Sequence, residues 1–252
     1  MNIEKAIKEF KNYTNNYIEL HHKCKLKVDH TLRVMNLCGE IAESLNLSKE
    51  DIELAKLCGL LHDIGRFEQW KRYEAFVDAD SVDHADLGVE VLKNNNYLSK
   101  YLQDSTLEQT VLNSIKYHNK YSIPDNLEEK DEMFCKIVRD ADKIDILYLY
   151  TIRMLGNRKV DESFSDSIYN NLINCHEINR ADVKTKGDTI AISLGLVFDI
   201  NYQKSFEILK EKKYIDKEID NYIETSDNDK FKEQLKEVRK IINKYIEERI
   251  TC

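Results

Sequence analysis

Glycine and proline are scarce in this chain of 252 residues, which contains seven glycines and a single proline. In an average protein these two residue types together occupy about 12% of positions. They are the residues that break helices and form tight turns, so this chain has few means of building the many hairpins of a sandwich or barrel. The scarcity therefore predicts long helices and an all-α fold.

The charge pattern argues against a nucleic acid or a membrane as the partner of this chain. The net charge is −8, and Lys and Arg are interleaved with Asp and Glu almost everywhere. Nonspecific nucleic-acid binding normally requires a basic domain or stripe, and a membrane span requires about 18 apolar residues in a row. We therefore expect a small-molecule partner. An anionic small molecule stays open, because a bound metal reverses the sign of the local field. A homo-oligomer stays open as well.

The six cysteines favour a reduced protein. They include no C-x-x-C pair, and the first ten residues carry charges on a helical pattern instead of the apolar core of a signal peptide. We therefore expect packed thiols rather than a disulfide scaffold, and a cytoplasmic location.

Apolar residues recur at three- and four-residue steps along most of the chain, which is the pattern of amphipathic helices. One clear example contains Leu26, His30 and Val34, and it places His30 on the buried face. Ser48 and Asp83 are predicted to cap the helices that follow them. The predicted helices cover about residues 3–20, 26–45, 52–63, 84–92, 106–118, 133–148, 164–173, 189–198, 202–209 and 230–250.

Residues 66–83 are predicted to form a loop. Gly65 suits the position just past a helix end, and the residues that follow it are mostly polar or aromatic. Aromatic side chains in this stretch offer two interpretations, a surface that stacks on a nucleobase, or a packed lid or core edge. The four aromatic residues are Phe67, Trp70, Tyr73 and Phe76.

The adjacent pair His62 and Asp63 follows two leucines, so Asp63 is predicted to be buried. A buried carboxylate is costly unless it is paired with a cation or bound to a metal. Arg66, three positions on, is the nearest cation in the sequence. A simple salt bridge is therefore the alternative to a metal site.

Two further residues fit the metal interpretation. His30 lies on the helix before the pair, and Asp142 lies on a later helix. Helical bundles build metal sites from ligands on separate helices, and imidazole with carboxylate suits borderline or hard divalent metals. A single histidine on an apolar face is more often a packed core residue, so the prediction rests on the whole set.

In their order along the chain, four residues resemble the H…HD…D signature of the HD-domain superfamily of metal-dependent phosphohydrolases: His30, His62, Asp63 and Asp142. The stretch 60–66 is close to the usual form of the motif. His84 with Gly88 resembles the H-x-x-x-G element of many members, and His118 resembles the next histidine element. The resemblance covers about residues 26–150 and implies an all-α HD-domain bundle, followed here by a C-terminal helical extension.

The resemblance also implies the metal ligands. His30, His62, Asp63 and Asp142 match the core ligand positions of the family. His84 and His118 match the additional histidines of members with two metals, in which the aspartate of the HD pair bridges both ions. We therefore expect one or two divalent ions, with Mn, Fe, Co, Zn, Ni and Mg all open. The alternatives are a solvated helix-start residue for His84 and a core histidine for His118.

The activity implied is that of a metal-dependent phosphohydrolase, a phosphomonoesterase or phosphodiesterase, which acts on a small phosphoester such as a nucleotide through a water activated by the metal. Asp63 and Arg66 are the predicted catalytic residues. Arg66, Arg139 and Arg33 are the predicted substrate-binding cations, with an ordinary salt bridge as the alternative for each. The Gly-Tyr-Pro element of the cyclic-dinucleotide phosphodiesterases is absent after His118.

Two other functions stay open at this stage. Proteins of this fold that resemble myo-inositol oxygenase use the same ligand set to hold two irons, and a non-catalytic metal-binding regulatory module is the other alternative. The predicted domain division is 1–154 for the metal-binding helical domain and 155–252 for the extension, which matches no motif of known chemistry.

Overall fold

The fold is all-α, as the scarcity of glycine and proline predicted. The computed structural model describes residues 2–19, 21–152, 155 and 159–251, apart from the side chain of Asn95, and contains no strand within those ranges. None of the described helices is both long and apolar enough to cross a membrane. The α-helices are α1 (Ile3–Ile18), α2 (His22–Ser44), α3 (Lys49–Leu61), α4 (Ile64–Tyr73), α5 (His84–Lys93), α6 (Glu108–Tyr117), α7 (Glu129–Thr151), α8 (Asp166–Ile173), α9 (Lys186–Leu194), α10 (Gln203–Lys212), α11 (Tyr214–Thr225) and α12 (Asp229–Thr251).

The chain divides into two compact units, Met1–Asp142 and Lys143–Cys252, and the division falls inside α7. The sequence placed the boundary later, between residues 154 and 155. The assignment of the first part as a functional metal-binding domain and of the second as its extension stays a prediction.

Helices α2 and α3 form the centre of the first unit. Ser48 caps α3 as predicted, since its hydroxyl accepts a hydrogen bond from the Asp51 amide at 3.1 Å. The two helices approach closely at Gly59, where an added Cβ would lie 2.7 Å from the Cys38 sulfur and 3.0 Å from the Met35 Cα. This close approach brings the end of α3 against the face of α2 that carries His30.

The predicted loop at 66–83 is wrong over its first part, which forms α4. Ile64 and Phe67 are fully buried, and Phe67 packs edge-on against Phe10 with ring centroids 5.9 Å apart. The apolar face is short and the rest of the segment is polar, so its helical period was obscured. Trp70 stacks on Phe76 with the ring centroids 5.0 Å apart. These two rings are therefore packed on each other, which fits the packed lid or core-edge interpretation.

Gly65 is not a helix cap but a contact point. It lies inside α4, where an added Cβ would be 2.1 Å from the carbonyl oxygen of His84 and 2.5 Å from the amide nitrogen of Gly88. The missing side chain therefore allows the backbones of α4 and α5 to touch. That contact holds the start of α5, capped by Asp83 as predicted, next to the residues that follow α3.

The second unit has its own core, in which Phe164 meets Phe231 edge-on with ring centroids 5.1 Å apart. Helices α8, α9, α10 and α12 correspond to predicted helices, whereas α11 was missed. Ile215, Ile219 and Tyr222 are buried on one face of α11 at helical spacing. That spacing was readable in the sequence and was the signal that could have found the helix.

Candidate metal centre

The structure brings His30 and His62 together in the interior of the first unit. His30 lies on the buried face of α2, and His62 ends α3. Their Nε2 atoms are 3.3 Å apart. The Nδ1 atom of His62 bonds the Gly59 carbonyl oxygen at 2.7 Å, and because a carbonyl only accepts, Nδ1 carries the proton. In the neutral ring the Nε2 lone pair of His62 therefore points at His30.

Asp63 and Asp142 approach the same two histidines. Oδ1 of Asp142 lies 3.1 Å from His30 Nε2 and 3.7 Å from His62 Nε2. Oδ2 of Asp63 lies 3.5 Å and 3.7 Å from the same two nitrogens. The four residues expected from the sequence thus converge on one point in the structure, although their role as metal ligands stays a prediction.

His84 and His118 face the other oxygen of Asp63. Oδ1 of Asp63 lies 3.3 Å from His84 Nε2 and 3.9 Å from His118 Nε2, and the two ring nitrogens are 3.0 Å apart. Both histidines are buried, so neither is a solvated surface residue. The carboxylate of Asp63 therefore lies between two histidine pairs, one on each oxygen.

The donor set fits divalent metals because of how the ring nitrogens face one another. Nδ1 of His118 donates to the Ile115 carbonyl at 2.7 Å, and Nδ1 of His84 donates to the Asp78 carboxylate at 2.7 Å. Each ring then presents an unprotonated Nε2 when neutral. Two such lone pairs at 3.0 Å repel each other unless a proton or a metal ion lies between them. Imidazole and carboxylate together are ligands for Zn²⁺, Fe²⁺ and similar ions.

The charge states suit metal binding as well. Burial, with the nearby charges of His84 and His62, lowers the pKa of His118 to about 3, so this ring is neutral at ordinary pH. Burial raises the pKa of the Asp63 carboxyl, but Lys27, His62 and Arg66 outweigh it and hold that pKa well below its usual value. For Asp142, burial likewise raises the pKa, and its hydrogen bonds with His30 and His62 outweigh that effect.

A second layer of polar contacts fixes His84. Asp78, on a short 3-10 turn before α5, accepts from His84 Nδ1 with Oδ2 and from Arg66 Nη1 with Oδ1 at 2.7 Å. Gln69 and Asn119 also donate to Asp78, at 3.0 and 3.4 Å. Such a carboxylate–histidine pair fixes the ring orientation and tautomer of a metal-binding histidine.

The sequence did not predict Asp78. Its acidic side chain falls in the stretch read as a loop, twelve residues after Arg66. Burial raises the pKa of the Asp78 carboxyl, but its bond to His84 and the charges of His84 and Arg66 lower it more, so the group stays ionised. The signal in the sequence was an acidic residue within twelve positions of the predicted cation Arg66, and that signal was not specific enough to identify Asp78.

Two of the three predicted substrate-binding cations are engaged with the protein itself. Besides Asp78, Arg66 Nη1 donates to the Phe76 carbonyl at 2.6 Å, and its Nε lies 3.5 Å from Asp63 Oδ1. Arg139 is buried and donates to the carbonyl of Tyr117, the last residue of α6, at 3.0 Å, and to backbone carbonyls of the segment that follows. Their contact with substrate stays a prediction. So does that of Arg33, which is half-buried on α2.

A lysine that the sequence interpretation missed enters the cluster. Lys27 lies one helical turn before His30 on α2, and its ammonium bonds Oδ2 of Asp63 at 2.7 Å. Its side chain is 29% exposed, whereas that of Asp63 is 3% exposed. The spacing of three residues from His30 was the signal that could have found it.

Comparison with known proteins agrees with this geometry. A family model described as the HD domain matches residues 28–147. A relative named Ribonuclease Y 1, from Pediococcus pentosaceus, is 36% identical over 92 residues. That match covers 36% of this chain but 14% of the relative, and no solved structure matches the chain significantly. Residues 28–147, just under half of the chain, therefore match the HD domain, a domain whose family members are generally metal-dependent hydrolases.

Proposed function

We propose that this chain is a metal-dependent phosphohydrolase that acts on a small phosphoester. The observation that carries the proposal is the position of Asp63, whose Oδ2 faces His30 and His62 while Oδ1 faces His84 and His118. Two divalent ions held by these residues would supply an activated water and stabilise the attacking and leaving oxygens of a phosphoryl transfer.

The residues of the cluster would have different roles, according to where they lie. Asp63 and the four histidines hold the ions, with Asp142 completing the His30 and His62 side. Asp78 keeps His84 in the tautomer that leaves Nε2 free to bind. Asp142 is 16% exposed, whereas the cluster histidines are almost fully buried, so the substrate would approach from the Asp142 side.

Two observations support a phosphoester as the substrate. The relative Ribonuclease Y 1 is by its name a nuclease, which favours phosphoester hydrolysis over the di-iron oxygenase alternative. The net charge of −8 disfavours a long polyanion, so nucleotides and short oligonucleotides are the first substrates to test. A non-catalytic metal-binding module would hold its ions with the same donors, so turnover is what distinguishes it from an enzyme.

The test combines metal analysis of the purified protein with a substrate screen. We expect one or two divalent ions per chain and turnover of at least one nucleotide, phosphomonoester or phosphodiester in the presence of Mn²⁺. Removal of the metal with a chelator should stop turnover, and its return should restore it. A metal-loaded protein that hydrolyses none of these and consumes dioxygen with iron bound would instead establish the oxygenase.

A further inference from the structure

Three cations of the first unit differ in what already holds them. Arg66 is held by Asp78 and the Phe76 carbonyl, and Arg139 is held by backbone carbonyls at the end of α6 and just after it. Lys27 differs from both because its ammonium bonds a carboxylate oxygen of the cluster itself. Its stem runs from the partly exposed surface of α2 to the buried Asp63.

We propose that Lys27 is the phosphate-binding cation of this site, and that a divalent ion bound to Asp63 releases it for that role. The inference rests on the proposed phosphohydrolase function and adds the residue that recognises the anionic group of the substrate. It assigns to α2 both a metal ligand, His30, and a substrate contact one helical turn away.

Lys27 and a metal ion would bind the same atom, Oδ2 of Asp63. Oδ2 of Asp63 accepts from Lys27 Nζ at 2.7 Å, and this same oxygen lies 3.5 Å from His30 Nε2 and 3.7 Å from His62 Nε2. A divalent ion held by the two histidines and Oδ2 would therefore lie close to the ammonium. Two positive charges at that distance, in a largely buried site, repel strongly.

A bound anion would remove the repulsion between the divalent ion and the Lys27 ammonium. A phosphate oxygen placed between the metal ion and Nζ interacts favourably with both charges. Lysine suits such a movable contact because its ammonium is a compact charge on a flexible four-carbon stem, whereas the guanidinium of Arg66 is held in a fixed geometry. The 29% exposure of the Lys27 side chain leaves room for the stem to move towards solvent.

The account therefore predicts two opposite effects of removing the charge of Lys27. The affinity for Mn²⁺ alone should rise, because a competing cation has been removed from Oδ2. The affinity of the Mn²⁺-saturated protein for inorganic phosphate should fall, because a charge-assisted contact is lost. A residue that only supports the fold would weaken both together.

The experiment compares Lys27→Met with Lys25→Met. Lys25 lies on the same helix, is 64% exposed and pairs with Asp29 at the surface, so its loss removes the same charge outside the cluster. Mn²⁺ binding is measured by competition with a fluorescent chelator, and phosphate binding by calorimetry at saturating Mn²⁺. For Lys27→Met we expect Mn²⁺ to bind about threefold tighter or more, and phosphate to bind about tenfold to a hundredfold weaker. Lys25→Met should match the parent in both.

Unchanged phosphate affinity in Lys27→Met would overturn the substrate contact, and weaker Mn²⁺ binding would overturn the competition for Oδ2. Should Lys27→Met fail to fold, Lys27→Gln takes its place with the same two expectations, because an amide can still donate to Asp63 without carrying charge. Neither measurement uses turnover. A parent protein that binds Mn²⁺ and phosphate but hydrolyses no phosphoester would therefore refute the proposed function separately.

Discussion

Each of the two compact units contains a buried carboxylate, and their surroundings are opposite. Asp63, in the first unit, lies among four histidines, Lys27 and Arg66, and the charges of Lys27, His62 and Arg66 hold its pKa well below the usual value despite burial. Within the described part of the chain, Glu218, in the second unit, accepts only from the Ser193 hydroxyl, and its Oε2 atom has no hydrogen-bond partner there. Burial raises the pKa of Glu218 to about 8.

The difference shows that burial alone does not make a metal ligand. A carboxylate buried with little compensation takes up a proton, as Glu218 does, and a protonated acid is a poor ligand. Asp63 keeps its charge because the fold gathers positive and ionisable groups around it. Asp63 is therefore distinguished by the positive and ionisable groups around it rather than by the depth of its burial.

Removal of the Asp63 carboxylate should have the largest effect. Asp63→Ala takes away the atoms shared by both histidine pairs, so we expect it to lose both its metal and its phosphohydrolase activity. Metal analysis and steady-state kinetics measure the two losses, with Asp29→Ala, at the exposed surface of α2, as the matched control. Activity that survives in a metal-free Asp63→Ala protein would show that the metal mechanism is wrong.

Glu218→Gln should remove a pH dependence of stability that Asp63 does not share. A folded-state pKa of about 8, above the ordinary value of 4.5 for a glutamate, means that the contribution of Glu218 is fully present below pH 4.5 and is lost as the pH rises to about 8. The loss is at most about 5 kcal/mol in the free energy of unfolding.

Urea unfolding between pH 4.5 and 9 measures this effect. The parent should lose stability across the window, and Glu218→Gln should lose much less. Glu224→Gln, at an exposed position of the same helix α11, should follow the parent. A parent whose stability does not fall between pH 5 and 8 would contradict the contrast with Asp63.

Arg66→Ala should retain the fold and the metal but lose substrate affinity or rate by about 10²-fold. The sequence predicts this through a direct contact with substrate, whereas the structure offers a path through Asp78, to which Arg66 donates at 2.7 Å. Metal content and kinetics of the variant beside the parent measure the effect. Full activity in Arg66→Ala would leave the residue as a salt-bridge partner alone.

Asp78→Asn separates these two paths. Asparagine replaces the charged acceptor of the His84 Nδ1 proton with a neutral, weaker one, so we expect metal affinity to fall about 10- to 100-fold. If Arg66 acts through Asp78, the variant that combines Arg66→Ala with Asp78→Asn should lose no more kcat/KM than Asp78→Asn alone. Additive losses in kcat/KM would instead assign Arg66 its own contact with substrate.

The sequence was sufficient to predict which side chains converge, because they occur in a recognisable order on helices whose period is clear. His30 falls on the buried stripe of α2, and Asp63 follows an apolar helix end, so both the fold and the cluster could be predicted. The same reasoning misjudged Gly65, because a close approach between two helices is not visible in the period of either one.

The contacts that surround the ligands could not be predicted in this way. Asp78 reaches His84 only because the chain turns back after α4, and the sequence interpretation had no helix there. Lys27 reaches Asp63 across 36 positions of sequence, and that meeting depends on how α2 packs against the end of α3. Second-layer contacts of this kind follow from tertiary structure and carry little local signal.

Anomalous diffraction from crystals grown with Mn²⁺ would show whether Asp63 lies between two metal positions. We predict two peaks, one bonded to His30, His62 and Oδ2 of Asp63, the other bonded to His84, His118 and Oδ1, each at about 2.0–2.3 Å from its ligands. In His118→Ala crystals the second peak should disappear and the first should stay. Absence of any peak in contact with Asp63 would contradict the account.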